Sequence, residues 1–257
     1  MERSTSIPAL TARQMAEIDR IMLDDFGVDT LQLMEVAGHA VAVFARRRFL
    51  GGDARGKRII VLCGSGGNGG DGMVAARFLL AWGASPEVWL SRRPVPGKGI
   101  ADHQLAILER LGVPIHDPTT TPSVPAADLV IDALLGFSLA GAPAGETAAL
   151  IAAANAQPAP VLAVDLPSGL EATDGIVYDP CIRAEATLTL ALPKTGLLAP
   201  AARAVVGELV VADIGVPAAA YARLGVEAGP LFATGDFLLE GTGGMRQGSG
   251  VDDRPDP

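Results

Sequence analysis

The chain of 257 residues is poor in the side chains that most often carry covalent or metal chemistry, with two cysteines, three histidines and three lysines. Cys63 and Cys181 are too few for a disulfide framework and have no zinc-like spacing, so reduced thiols in a cytoplasmic protein are expected. Positive charge is short as well. Lys and Arg number 20 against 29 Asp and Glu, a formal charge of -9. A nucleic-acid backbone needs clustered cations, so no nucleic-acid partner is expected, whereas a small anion held by backbone amides stays compatible. Long apolar runs are also missing. The longest uncharged stretch, Thr147–Val164, is broken by Asn155, Gln157, Pro158 and Pro160, and Met1–Pro8 has no apolar segment of the signal-peptide kind. Neither a membrane span nor an export signal is expected.

What is there is a folding composition. Hydrophobic residues at 49% and charged residues at 19% call for a globule, with disorder only at its ends. Two helices are expected first. Thr11 can cap one, with Met15, Ile18 and Met22 at helical spacing and Gly27 after its end; Thr30 can start the other, with Leu33, Val36, Ala37, Ala40, Val41 and Phe44 on one face. Arg46–Arg48 then complements the dipole at a solvated helix end. From Arg58 onward short apolar runs alternate with helical stretches. Strands are expected at Arg58–Cys63, Pro86–Leu90, Leu129–Ala133, Val161–Val164, Ala186–Leu192 and Glu208–Ala212, and helices at Met73–Trp82, Ala101–Leu111 and Glu146–Asn155. That alternation predicts an α/β fold with a mainly parallel sheet. The last two strands lack a helix between them, which suggests a more local pairing. One domain is expected over residues 1–240, followed by a disordered Gly/Asp/Arg/Pro-rich tail, Gly241–Pro257.

Residues 64–72 read Gly-Ser-Gly-Gly-Asn-Gly-Gly-Asp-Gly between the first predicted strand and the helix expected from Met73. Glycines let backbone N–H groups approach a phosphate and supply positive φ, and the following helix directs its positive end at the anion. Gly64-x-Gly66-x-x-Gly69 fits the dinucleotide fingerprint, although such turns also occur for structural reasons alone. The loop has no Gly-Lys-Ser/Thr ending and is not a P-loop. Where a dehydrogenase has its acidic ribose reader, Ser91-Arg92-Arg93 stands instead, which suits a 2′-phosphate. His39, His103 and His116 fall in helical or connecting stretches, so hydride transfer has no evident partner and the histidines are read as structural.

The crevice beyond the carboxyl ends of parallel strands is where ligands bind, and the unusual residues of the chain fall there. Asn68 and Asp71 follow the first strand, Asp132 closes the third, Asp165 follows the fourth, and Lys194 follows the fifth in Leu192-Pro193-Lys194-Thr195-Gly196. Singly, each aspartate could cap a helix or bind loop amides, and the lysine could belong to a surface turn. Their coincidence on one sheet edge favours a site.

Five segments, Leu33–Gly38, Gly66–Gly72, Asp132–Gly136, Asp165–Gly169 and Leu192–Gly196, together resemble the YjeF N-terminal domain family, the NAD(P)H-hydrate epimerases, over roughly residues 10–215. The resemblance implies a three-layer αβα Rossmann-like fold, often a homodimer, that interconverts the R and S forms of hydrated NADH or NADPH. It implies substrate contacts from Gly67, Asn68, Gly69, Gly70, Asp71, from Gly136, Phe137, Ser138, Leu139, Ala140, Gly141 and Ala142, and from Asp165. Asn68, Asp132 and Ser168 match the positions that bind a potassium ion (K+) in the family, an oxygen donor set suited to a hard, weakly polarising cation. Gly67 stands where the family commonly has asparagine, and Phe137–Gly141 departs from the usual Gly-Thr-Gly-Leu pattern. The kinase-like dehydratase domain of many bacterial relatives is not in this sequence, so the pathway's dehydratase is expected to be a separate protein.

Inverting a ring carbon that bears a hydroxyl beside a nitrogen needs a proton donor and an acceptor, whether water leaves and returns or the ring opens and recloses. Asp165 is expected to be that acid/base, with Lys194 beside it as the second catalytic residue. Two other readings are a non-catalytic module that senses an NAD-derived metabolite, or scaffolds, and an NADP-dependent dehydrogenase.

Overall fold

The computed structural model describes residues 7–239 and 246–247. After Thr11, whose side chain accepts from Gln14 N–H in a capping box, α1 runs Ala12–Arg20 and continues through a π-turn, Ile21–Asp25. Gly27, at φ 70°, turns the chain toward α2, Thr30–Phe49, which Asp29 caps through Leu31 N–H. Of the face expected on α2, Val36 is the exception. It is 46% exposed, since the stripe that packs inward is Met34, Ala37, Ala40, Val41 and Phe44.

The remaining elements in chain order are β1 (Arg58–Cys63), α3 (Gly67–Ala81), β2 (Ser85–Leu90), α4 (Ile100–Arg110), β3 (Ile115–His116), β4 (Leu129–Ala133), α5 (Gly145–Asn155), β5 (Val161–Val164), β6 (Ala186–Leu190), α6 (Arg203–Val206), β7 (Glu208–Ala212), α7 (Ala218–Ala222), β8 (Phe237–Leu239) and β9 (Arg246–Gln247). They build one sheet in the order β3-β2-β1-β4-β5-β6-β7-β8-β9. β3 through β7 of that order are parallel, and β8 and β9 add antiparallel at the edge. Chain order reverses between β1 and β4, and the crevice at that switch point is the ligand position of doubly wound folds.

Both faces of the sheet are covered. In β1, Ile59, Val61 and Cys63 join the core beneath α2, α3 and α4, while Ile60 and Leu62 join the core beneath α5 with Leu150, Ile151 and Ala154. A strand buried on both faces reads as a continuous apolar run, which is why β1, β4 and β5 were legible.

Several boundaries and pairings differ from expectation. α3 starts at Gly67, six residues before the expected Met73, so most of the glycine stretch is helix. β6 and β7 are parallel neighbours; two 3₁₀ turns and the short α6 make the crossover that looked absent. β6 ends at Leu190, because Ala191 takes φ 67° and leaves the sheet. The two-residue β3, the three-residue β8 and the five-residue α7 were too short to show a period. His116 lies on β3, stacked on Trp89 and bonded to Glu87 at 3.1 Å, while His39 packs edge-on to Phe78. Of the tail Gly241–Pro257, Arg246–Gln247 pair with β8 and the rest lies outside the described residues. No helix among the described residues is long and apolar enough to cross a membrane.

Candidate active site

The glycines at the β1–α3 corner serve close approach. None of residues 64–72 takes a positive φ. A Cβ on Gly69 would collide with the backbone of Gly64, one on Gly70 with the Met34 side chain, and one on Gly72 would lie 2.5 Å from the Ala133 Cβ. Across the helix pair, a Cβ on Gly38 would come within 2.7 Å of the Asp71 carbonyl oxygen, so Leu33–Gly38 seats α2 directly on the first turn of α3. Glu35 of the same segment pairs with Arg77 of α3 and accepts from Gln104 Nε2 of α4 at 3.1 Å. Gly67 differs from these, with no atom within 4 Å of its would-be Cβ.

Beyond β4, Asp132 is 0% exposed and works as a clamp between two loops. Its Oδ2 accepts from Ser168 N–H at 2.8 Å, and its Oδ1 accepts from Ser168 Oγ–H at 2.7 Å and Leu134 N–H at 3.2 Å. Leu135 N–H donates to Ser168 Oγ at 2.9 Å. Burial pushes the Asp132 carboxyl up to about 6, with the bonds from Ser168 and Leu134 pulling the other way. Nearby, Asn68 Nδ2 is buried without a hydrogen-bond partner. The partnerless Nδ2 is a donor that suits an acceptor on a ligand, whereas the oxygens of this group, on the Asp132 carboxyl, the Ser168 hydroxyl and the Asn68 side-chain carbonyl, are of the kind that suits a hard monovalent cation.

The chemistry-bearing pair sits one and two strands away. Leu166 N–H bonds to Val164 O at 2.8 Å, closing a three-residue turn with Asp165 at φ 67° in its middle. Asp165 and Ala191 are the non-glycine residues of positive φ among those described, at the ends of adjacent strands β5 and β6. Strain of this kind persists where surrounding structure enforces it, and it gathers at functional sites. Here it aims the Asp165 carboxylate at Lys194. The two form an ion pair, with Lys194 Nζ also donating to Leu190 O at 2.9 Å and Thr189 Oγ at 3.4 Å. Asp165 Oδ1 further accepts from Leu190 N–H and Thr189 Oγ–H, each at 3.3 Å.

A cavity of about 140 Å³ opens over this pair, and Gly67, Asn68, Asp71 and Phe137 line it together with Met15, Asp19, Thr30, Leu33 and Met34. That is close to the roughly 150 Å³ that takes up a benzene-sized ring. Gly67 and Asn68 also border a larger outer groove, lined by Gly64–Gly66, Ser91, Arg92, Gly136, Ser138 and Glu146. Gly67 and Asn68 therefore border both the ring-sized chamber and the groove at the start of α3.

Of the candidate substrate residues, Gly67, Asn68, Asp71, Phe137 and Asp165 reach the inner chamber, and Gly136 and Ser138 the groove. Gly69 and Gly70 are packing positions beneath it, and Leu139, Ala140, Gly141 and Ala142 line neither space. Arg93 is engaged by Glu109 and Asp117, leaving Arg92 to face the groove. Sequence reasoning missed Asp19. Its place on the α1 stripe one turn after Met15 was the available signal.

Asp71 and Asp19 complete a cluster of charges. Burial, then the charges of Asp165 and Asp19, hold the Asp71 carboxyl well above the usual range, with Lys194 opposing. Asp19 is exposed as a residue, yet protein crowding around its carboxyl raises it to about 6, Lys194 opposing and Asp165 adding. Both cysteines are unpaired and buried, and burial raises their thiols.

A glycine-built helix N-terminus beside a buried ion pair, at the switch point of a doubly wound sheet, defines a Rossmann-like α/β protein. More narrowly, the chain belongs to the family described as YjeF-related protein N-terminus, matched over residues 30–196. It is 39% identical over 86% of its length to an NAD(P)H-hydrate epimerase of Dehalogenimonas lykanthroporepellens, spanning 88% of that protein. It is 40% identical to a bifunctional NAD(P)H-hydrate repair enzyme of Moorella thermoacetica, spanning 40% of its length. The crystal structure of the yeast protein ynu0 superposes with a TM-score of 0.74 at 25% identity, over 91% of this chain and all of that one.

Proposed function

We propose that this protein epimerises hydrated NADH and NADPH, interconverting their R and S forms so that the hydrate can be repaired. One observation carries the reading: the Asp165–Lys194 pair lies at the floor of a ring-sized chamber whose wall is the glycine-built start of α3. A hydrated nicotinamide ring fits the inner chamber, and the ribose and phosphates fit the outer groove, where amides at the helix N-terminus face anions. Family membership and the names of the relatives agree with it.

In this reading Asp165 moves the proton. The Lys194 ammonium pairs with its carboxyl and stands ready to polarise the substrate oxygen. Asn68 offers its free amide to the ligand side, while the Asp132–Ser168 clamp keeps the β4 and β5 loops at a constant separation. Asn68, Asp132 and Ser168 would hold a potassium ion, which would offset the negative charge of buried Asp132 and of the substrate. We place the protein in the cytoplasm as a homodimer, upstream of a dehydratase that consumes one epimer. A dehydrogenase reading lacks support, since no histidine or tyrosine lines the inner chamber.

The test is incubation with acid-treated NADH and NADPH, following the hydrate epimers by chromatography. Rapid equilibration is the expected result. Binding without exchange would point to a sensing module, and cofactor oxidation to a dehydrogenase.

A further inference from the structure

We propose that Asp19 of α1 is a second acid/base group of the chamber, working with Asp165 on the substrate ring. The proposal rests on the epimerase reading above and adds a residue to it. Although α1 precedes the family match at residue 30, the backbone fixes it to the catalytic loop. Leu10 N–H donates to Pro193 O at 2.8 Å, Thr195 N–H donates to Leu10 O at 2.9 Å, and Ala12 N–H donates to Thr173 Oγ at 3.1 Å. The first two of these bonds bracket Lys194. They set α1 so that buried Met15, Ile18 and Met22 hold it to the core while Met15 and Asp19, four residues apart on one face, border the chamber. The other acids of this segment are occupied, Glu17, Asp24 and Asp25 all pairing with Arg20, whereas Asp19 has no ion pair among the described residues.

The chemistry asks for such a group. Asp165 is held by Lys194, Thr189 and Leu190 in a strained turn, so a reaction with two proton transfers calls for a further group. Inversion has to involve both faces. On one face a carboxyl gives its proton to the hydroxyl oxygen, the C–O bond breaks with its pair on oxygen, and the ring-nitrogen lone pair closes a C=N bond as water departs. On the other face water forms the new C–O bond, the C=N pair returns to nitrogen, and a carboxylate takes the released proton. Nothing is oxidised or reduced, and the two carboxyl groups exchange roles in the reverse direction. The groups that face Asp19 are Asp71 of α3, Asp165, Lys194 and Tyr221 of α7. Burial raises the Asp19 carboxyl to about 6, with Lys194 opposing and Asp165 adding, and a carboxyl there can be loaded and unloaded near neutral pH.

The experiment compares wild type, D19N and D19E in the chromatographic epimerisation assay across pH 5 to 9. D19N is expected to fold and to melt no lower than wild type, since Asn mimics the protonated carboxyl, to lose kcat by about a hundredfold or more, to keep KM within a few-fold, and to lose the inflection of kcat/KM near pH 6; D19E is expected to regain part of the rate. An active wild type whose D19N variant keeps both kcat and pH profile would overturn the proposal while leaving the epimerase reading intact. A change in KM alone would also overturn it, since Asp19 would then only bind. A wild-type kcat/KM profile without an inflection near pH 6 would overturn it independently of how the variants fold. An inactive wild type would instead sink the underlying reading.

Discussion

Lys194 and Asp165, 29 positions apart in the chain, form an ion pair whose side chains are 1% and 5% exposed. Two desolvated charges are tolerated there because each is otherwise bonded, Lys194 to a strand-end carbonyl and Asp165 to a strand-end amide and hydroxyl.

Removing one partner therefore has two consequences. Asp165→Asn should lower epimerisation by about a hundred- to ten-thousand-fold, and it leaves a buried ammonium without its counter-ion at a cost of about 3–5 kcal/mol. The double variant Asp165→Asn with Lys194→Met should recover most of the lost melting temperature and none of the activity. Retained turnover in Asp165→Asn would remove that residue from the chemistry.

The glycines of α3 divide into two kinds that stability measurements can tell apart. Gly72→Ala places a Cβ 2.5 Å from that of Ala133 and 3.3 Å from Cys63 Sγ. It should destabilise by about 1–3 kcal/mol, although alanine is the better helix former by roughly 1 kcal/mol. Gly67→Asn enters open space, so its denaturation midpoint should match wild type while KM falls through a new amide contact. A lowered midpoint for Gly67→Asn would contradict the local geometry.

Potassium should raise the melting temperature at pH 8 relative to choline at equal ionic strength. The effect should shrink toward pH 5, because burial raises the Asp132 carboxyl to about 6 and the cation must then displace a proton. Asp132→Asn should abolish the difference between the two salts. An equal response of wild type and variant would exclude Asp132 as a ligand.

Asp71 gives a pH signature of known sign. Its carboxyl is raised in the folded protein, first by burial and then by the charges of Asp165 and Asp19, so the stability it contributes at low pH is lost as pH rises through the folded value. Asp71→Asn mimics the protonated form. The variant should melt above wild type at pH 8, with the gap closing toward pH 4. A gap that widens on acidification would reverse the assignment.

Much of this was legible along the chain. β1, β4 and β5 showed as apolar runs because both of their faces are buried, and Thr11 and Gly27 marked a helical segment because capping and positive φ are local demands. The helical state of Gly67–Gly72 was hidden, since glycine has the weakest helix preference after proline and only contact with Met34, Gly38 and Ala133 makes helix the better state. The parallel β6–β7 pairing was hidden too, its crossover consisting of turns too short to show a period.

The sheet edge on which Asn68, Asp132, Asp165 and Lys194 gather can be read along the chain, because alternating strands and helices with residues at strand ends leave one rim for all of them. The tertiary structure alone decided which of those residues touch. It bent Asp165 into a positive-φ turn against Lys194, tied Asp132 to Ser168, and brought Asp19 in from a helix that no strand-end rule includes. Contacts of this kind depend on distances between distant segments once the core has closed, and no local preference encodes them.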